Sequence, residues 1–129
     1  MGGGVALLLA FLLLAAWLVP VVLKSDIMYA LFHTWEVERR YGFRHDSPYE
    51  GAAGCMVEVV QIDAVRPGGA LDAVGIRSGE IVRGQSHCGF IRLLGELPPG
   101  ETVELTLRTP LNGACVSEWP ERTALVVAP

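Results

Sequence analysis

The residues best equipped for covalent chemistry stand together in Gly84-Gln85-Ser86-His87-Cys88-Gly89, a hydroxyl, an imidazole and a thiol in succession. The pattern approaches the G-x-S-x-G turn that raises a serine nucleophile, but Cys88 fills the place of the second glycine. Adjacency in sequence does not make Cys88 and His87 a nucleophile and base. The two must meet in space, with a third group orienting the base, and a reactive thiol needs a lowered pKa. His33 and His45 stand far off, with no H-x-x-x-H spacing or carboxylate cluster to hold a metal. Cys55, Cys88 and Cys115 are an odd number without a C-x-x-C pair. They read as structural thiols, or as one disulfide and one free thiol in an oxidising compartment. The chain therefore reads as no enzyme, with no cofactor and no metal.

The elements that must position any binding residue begin with an uncharged run, residues 5–23 (VALLLAFLLLAAWLVPVVL), after a short tail of residues 1–4. As a helix this run spans roughly 28 Å, close to the hydrocarbon thickness of a bilayer. It reads as a transmembrane helix, with Pro20 in the last turn, where a lost backbone hydrogen bond costs least. A cleavable signal peptide is the rival reading, but no basic residue precedes the run and no small-x-small site follows it. The net charge of −4 lies wholly beyond this segment and argues against nucleic acid, which requires a basic face. Lys24, Arg39 and Arg40 follow the span, which favours a cytoplasmic carboxyl side.

Residues 24–38 read as a juxtamembrane helical linker. Ser25 or Asp26 can cap it, and Ile27, Ala30, Leu31, Thr34 and Trp35 are expected on one face. Tyr29 and Trp35 suit a membrane interface, so the helix is expected near the headgroups or against the domain. Beyond it, residues 55–65 (CMVEVVQIDAV) have the composition and, from Val60, the alternation of a strand. Pro67-Gly68-Gly69 ends that strand, and Ala70 to Val74 make a short helix. Gly75 takes the left-handed cap position, Ser78-Gly79 turns the chain, and Glu80-Ile81-Val82 starts another strand. Phe90, Leu93, Leu94 and Leu97 then share a helical face before Pro98-Pro99-Gly100. Val103, Leu105 and Leu107 alternate with polar residues, residues 109–121 form a long loop, and a last strand runs from Thr123 to Val127.

Taken together, Pro67-Gly68-Gly69-Ala70, Ala73 and Gly75-Ile76-Arg77-Ser78-Gly79-Glu80-Ile81-Val82 resemble the middle of a PDZ domain, with Glu80 where the family carries aspartate. The longer side chain is expected to cap that turn less well. The resemblance spans roughly residues 39–127 and implies an α+β fold: a small PDZ-like partly open β-barrel or sandwich of five to six strands with two short helices. It also implies a peptide site. Arg40-Tyr41-Gly42-Phe43 corresponds to the carboxylate-binding loop, with Gly42 allowing backbone amides to converge on an anion and Arg40 or Arg44 adding charge. The strand from Phe43 to Ser47, through Arg44 and His45, would be extended by an incoming peptide. The facing helix, Ser86 to Gly95, would offer His87 to the ligand and line the terminal pocket with Ile91 and Leu94.

The function implied is a membrane-tethered module that binds the C-terminus or an extended segment of a protein partner. The alternative is a structural or adaptor subunit of a membrane protease or secretion complex with no free peptide binding. The resemblance implies a single-pass protein of the bacterial inner membrane and favours an extracytoplasmic domain, against the charge bias.

Overall fold

The computed structural model describes residues 2–46 and 60–129. Helix α1 runs over Gly2–Leu23, so the expected tail is helical from Gly2 onward. Its stretch Gly2–Val21 is long and apolar enough to cross a membrane, and none of it is buried against the rest of the chain.

Helix α2 follows over Asp26–Tyr41. The Ser25 side chain caps it by accepting from the Met28 N–H at 3.3 Å. Asp26 stands in the first turn and Arg39 and Arg40 in the last, each matched to the helix dipole. Gly42 ends the helix at φ +74, returning its N–H to the Glu38 carbonyl at 2.9 Å. The segment expected as a linker is therefore longer and belongs to the domain, since Ala30, Val37 and Tyr41 are buried in the core. The single face expected for it divides in two: Ala30 packs inward, while Ile27, Leu31 and Trp35 are exposed.

One five-stranded antiparallel sheet carries the remainder, in the order β1 (Phe43–Asp46), β2 (Gln61–Val65), β3 (Ile81–Val82), β4 (Thr102–Arg108) and β5 (Glu121–Val127). Among the described residues each strand pairs with its neighbours in sequence, so β1 and β5 are the two edges and the sheet is open. The five strands match the expected number, and the sheet that they form among the described residues is open, with β1 and β5 not paired to each other. β2 begins at Gln61; residues 55–59 of the expected strand lie outside the described residues. β5 starts two residues earlier than expected, after a 3-10 turn at Val116–Glu118 that gives the long loop internal order.

The short helix α3 (Ala70–Ala73) and helix α4 (His87–Gly95) complete the fold. Ile62, Leu71, Ile76, Phe90, Leu105 and Val126 are fully buried and join sheet and helices in one core. The glycine-punctuated segment folds as its spacing predicts. Gly68 supplies the positive φ of the first turn, and after α3 Gly75 does the same at φ +78. Ile76 then donates its N–H to the Leu71 carbonyl and buries its side chain. Gly69 lies under the end of α2; a Cβ there would stand 3.0 Å from the Tyr41 carbonyl oxygen.

Glu80 departs from expectation. It is only 2 % exposed, and its Oε1 accepts from the Arg77 N–H at 2.7 Å, so the turn is capped. Its length lets it also accept from Arg122 Nε on β5 at 2.9 Å and from Thr109 Oγ1 at 3.1 Å. Burial pushes its pKa up, but the hydrogen bonds from Arg122, Arg77 and Thr109 outweigh this and hold the carboxyl below its ordinary value.

Candidate functional site

β1 and α4 meet through the Phe43–Phe90 and His45–His87 ring contacts, with α2 closing over them. Ser86 caps α4 by accepting the Gly89 N–H at 3.0 Å, which makes His87 the first helical residue. His87 stacks on His45 of β1 with ring centroids 4.4 Å apart, and its Nδ1 is 2.5 Å from His45 Nε2. Glu38 of α2 completes the cluster. Its Oε2 accepts the His45 backbone N–H at 2.9 Å and lies 3.2 Å from His45 Nδ1. A carboxylate only accepts, which favours the His45 tautomer with its proton on Nδ1. Burial lowers the His45 pKa, the neighbouring His87 lowers it further, and Glu38 opposes both.

The parts expected to form a carboxylate site are used internally. The Gly42 N–H points back into α2 and does not join a nest, because a left-handed glycine after a helix closes that helix's last turn. Tyr41 is fully buried and donates its hydroxyl to the Leu94 carbonyl at 2.7 Å. Arg40 donates to Pro129 O at 3.0 Å and to the Leu97 carbonyl at 3.4 Å, tying down the chain end. Ile91 and Leu94 have no exposed surface and belong to the core; they do not line an open pocket. Phe43 packs edge-on against Phe90 at 5.8 Å. Of the expected residues, Arg44 alone is exposed.

The chemical triple at 86–88 is likewise dispersed. The Ser86 hydroxyl is a helix cap, His87 faces His45, and Cys88 is a half-buried free thiol. Cys115 is disulfide-bonded, while Cys55 lies outside the described residues.

Two features face outward. The first is β1 itself, which among the described residues is an edge strand paired with β2 alone (Phe43 opposite Val65, Arg44 opposite Ala64) and bulged between Arg44 and His45. Its His45 N–H is met by a side chain and not by another strand. The second is a cavity of about 330 Å³ between α2 and the β1–β2 pair, lined by Trp35, Glu38, Arg39, residues 42–44 and residues 64–66. There the Arg39 guanidinium lies 4.6 Å from the Trp35 ring centroid, and Arg66 donates to the Arg39 carbonyl at 3.0 Å. Among the described residues, Arg39, Arg44 and Arg66 form no ion pair. Sequence periodicity does not join Arg66 to α2, because the two meet only through the turn that tucks Gly69 beneath Gly42. No protein-family profile matches the chain, and no characterised protein resembles it closely enough in sequence to be counted a relative.

Proposed function

We propose that this protein is a membrane-tethered, non-catalytic interaction module of PDZ-like strand and helix order, which holds an extended segment of a partner protein at the bilayer by strand addition to β1. The observation that carries this reading is the edge position of β1: among the described residues it has one strand neighbour, and its outward His45 N–H is occupied by the Glu38 carboxylate, a side chain that can swing away. Main-chain pairing along such an edge supplies affinity with little demand on sequence. With the Gly42 amide committed to α2, an internal segment fits the edge as well as a chain terminus does.

Calorimetric titration of the full chain in detergent with extended peptides, each prepared with free and amidated carboxyl ends, tests the proposal. Both forms are expected to bind equally. Glu38→Ala removes the competitor for the edge amide and is expected to tighten binding about five-fold, the value of roughly one hydrogen bond. Binding confined to free carboxylates, or unchanged by Glu38→Ala, would refute strand addition at β1. The filled space between β1 and α4, where Tyr41, Ile91 and Leu94 are buried, favours a second reading as a fixed adaptor subunit. Failure of every peptide to bind either the native chain or the Glu38→Ala chain would support that alternative.

A further inference from the structure

Helix α2 has two apolar faces, and only one is used by the domain. Ala30, Val37 and Tyr41 are buried. On the other side Ile27, Leu31, Phe32 and Trp35 are 70, 72, 70 and 71 % exposed, an unusual density of bare large side chains on one sixteen-residue helix. Ile27, Leu31 and Trp35 follow at four-residue steps, and Arg39 continues the row one turn on. Two residues, Lys24 and Ser25, separate this helix from α1. The bare face thus starts where the candidate membrane span stops, within reach of the headgroup layer.

What covers the face is indicated by its far end. Trp35 suits the boundary between headgroups and acyl chains, where a ring can be half wet. Arg39 lies against it, with Arg66 bonded to the Arg39 carbonyl and Arg44 across the same cavity. Among the described residues Glu38 is the one acid lining that cavity, and its carboxylate is engaged by His45. An apolar arc ending in unpaired guanidiniums matches a bilayer surface bearing anionic phosphates, with acyl chains beneath and charge above.

We propose that α2 lies in the membrane interface through Ile27, Leu31, Phe32 and Trp35, and that Arg39 and Arg66 bind the phosphate of an anionic lipid headgroup at the Trp35 cavity. The proposal rests on the reading of α1 as a membrane anchor. Docking this face orients the domain on the bilayer, and Arg44 adds charge from the outer face of the sheet.

Tryptophan quenching in vesicles containing brominated lipids tests both levels. With Trp119 replaced by Phe throughout, the full chain is compared with one that also carries Trp35→Phe, in phosphatidylcholine vesicles with and without roughly 30 % phosphatidylglycerol. Quenching that survives in Trp35→Phe reports Trp17 of α1, and so the anchor; the difference between the two chains reports Trp35. The expected result is a Trp35 component quenched by shallow bromines, stronger with the anionic lipid. In an Arg39→Gln, Arg66→Gln chain the docked-to-undocked ratio is expected to fall about 30-fold, from about five-fold for each arginine near an anionic surface. Trp17 quenched without Trp35 would keep the anchor and overturn the docked helix. A Trp35 component indifferent to the anionic lipid or to the arginine substitutions would overturn the phosphate site. Quenching of neither tryptophan would refute the anchor and this proposal together.

Discussion

His45 is held between a carboxylate and a second imidazole, with its side chain almost wholly out of water. Burial first, and His87 second, lower its pKa from the ordinary value of about 6.5, so the folded chain holds it neutral where an unfolded chain would begin to protonate it. Between the lowered native pKa and about 6.5 the unfolded state binds more protons, and stability rises with pH across that window. Above it His45 contributes no pH dependence. A second proton on the cluster would also place two cationic rings in contact, with Glu38 and the Asp46 charge as the opposing influences. Thermal unfolding of the full chain in detergent is therefore expected at a lower temperature at pH 5.5 than at pH 7.5. In His45→Gln that difference is expected to shrink, and an undiminished difference would remove His45 from the account.

At the scale of elements, the end of α2 decides what the β1 region can do. Gly42 sits at φ +74, and a Cβ there would approach the Gly69 Cα to 3.1 Å and Arg66 Nε to 3.3 Å. Gly42→Ala is expected to destabilise the fold by about 1–3 kcal/mol, from the left-handed backbone and the contact with the turn beneath. Urea unfolding measures it; a variant of native stability that loses only peptide affinity would restore the anion-binding role. The same residues explain what could be read in advance. The strand, turn and short helix from Gln61 to Val82 were legible because glycines at left-handed positions and a capped helix are local requirements written in adjacent residues. Tyr41-Gly42-Phe43 was not, since a helix cap and an anion loop both place glycine before an apolar strand. The choice between them turned on whether the upstream helix continues beyond residue 38, as it does, to Tyr41. The Trp35 cavity was less legible still, because Arg66 reaches Arg39 only after the 66–69 turn packs under α2.

For the whole molecule, the inclusion of α2 in the core changes how the domain relates to α1. A flexible linker would let the domain swing freely from α1. A helix that buries Ala30, Val37 and Tyr41 in the domain, and is separated from α1 by Lys24 and Ser25, holds β1 and the Trp35 cavity at a set distance from its own start, about 24 Å of helix for β1. The fold boundary consequently lies near residue 25, upstream of the residue 39 that the PDZ-like pattern suggests. A chain shortened to residues 24–129 keeps the Ser25 cap and all of α2, and is expected to unfold cooperatively with nearly native stability. A chain shortened to residues 39–129 loses the buried Ala30 and Val37, the Tyr29 packing and the Glu38 contacts with Gly42 and His45. Removing that much packing costs about 3–5 kcal/mol, a large share of the roughly 5–15 kcal/mol available to a domain of this size. The shorter chain is expected to lose its near-ultraviolet circular dichroism, while the longer one retains it. Equal unfolding midpoints would mean that α2 is a spacer after all, and that the position of β1 relative to α1 is set by something other than this helix.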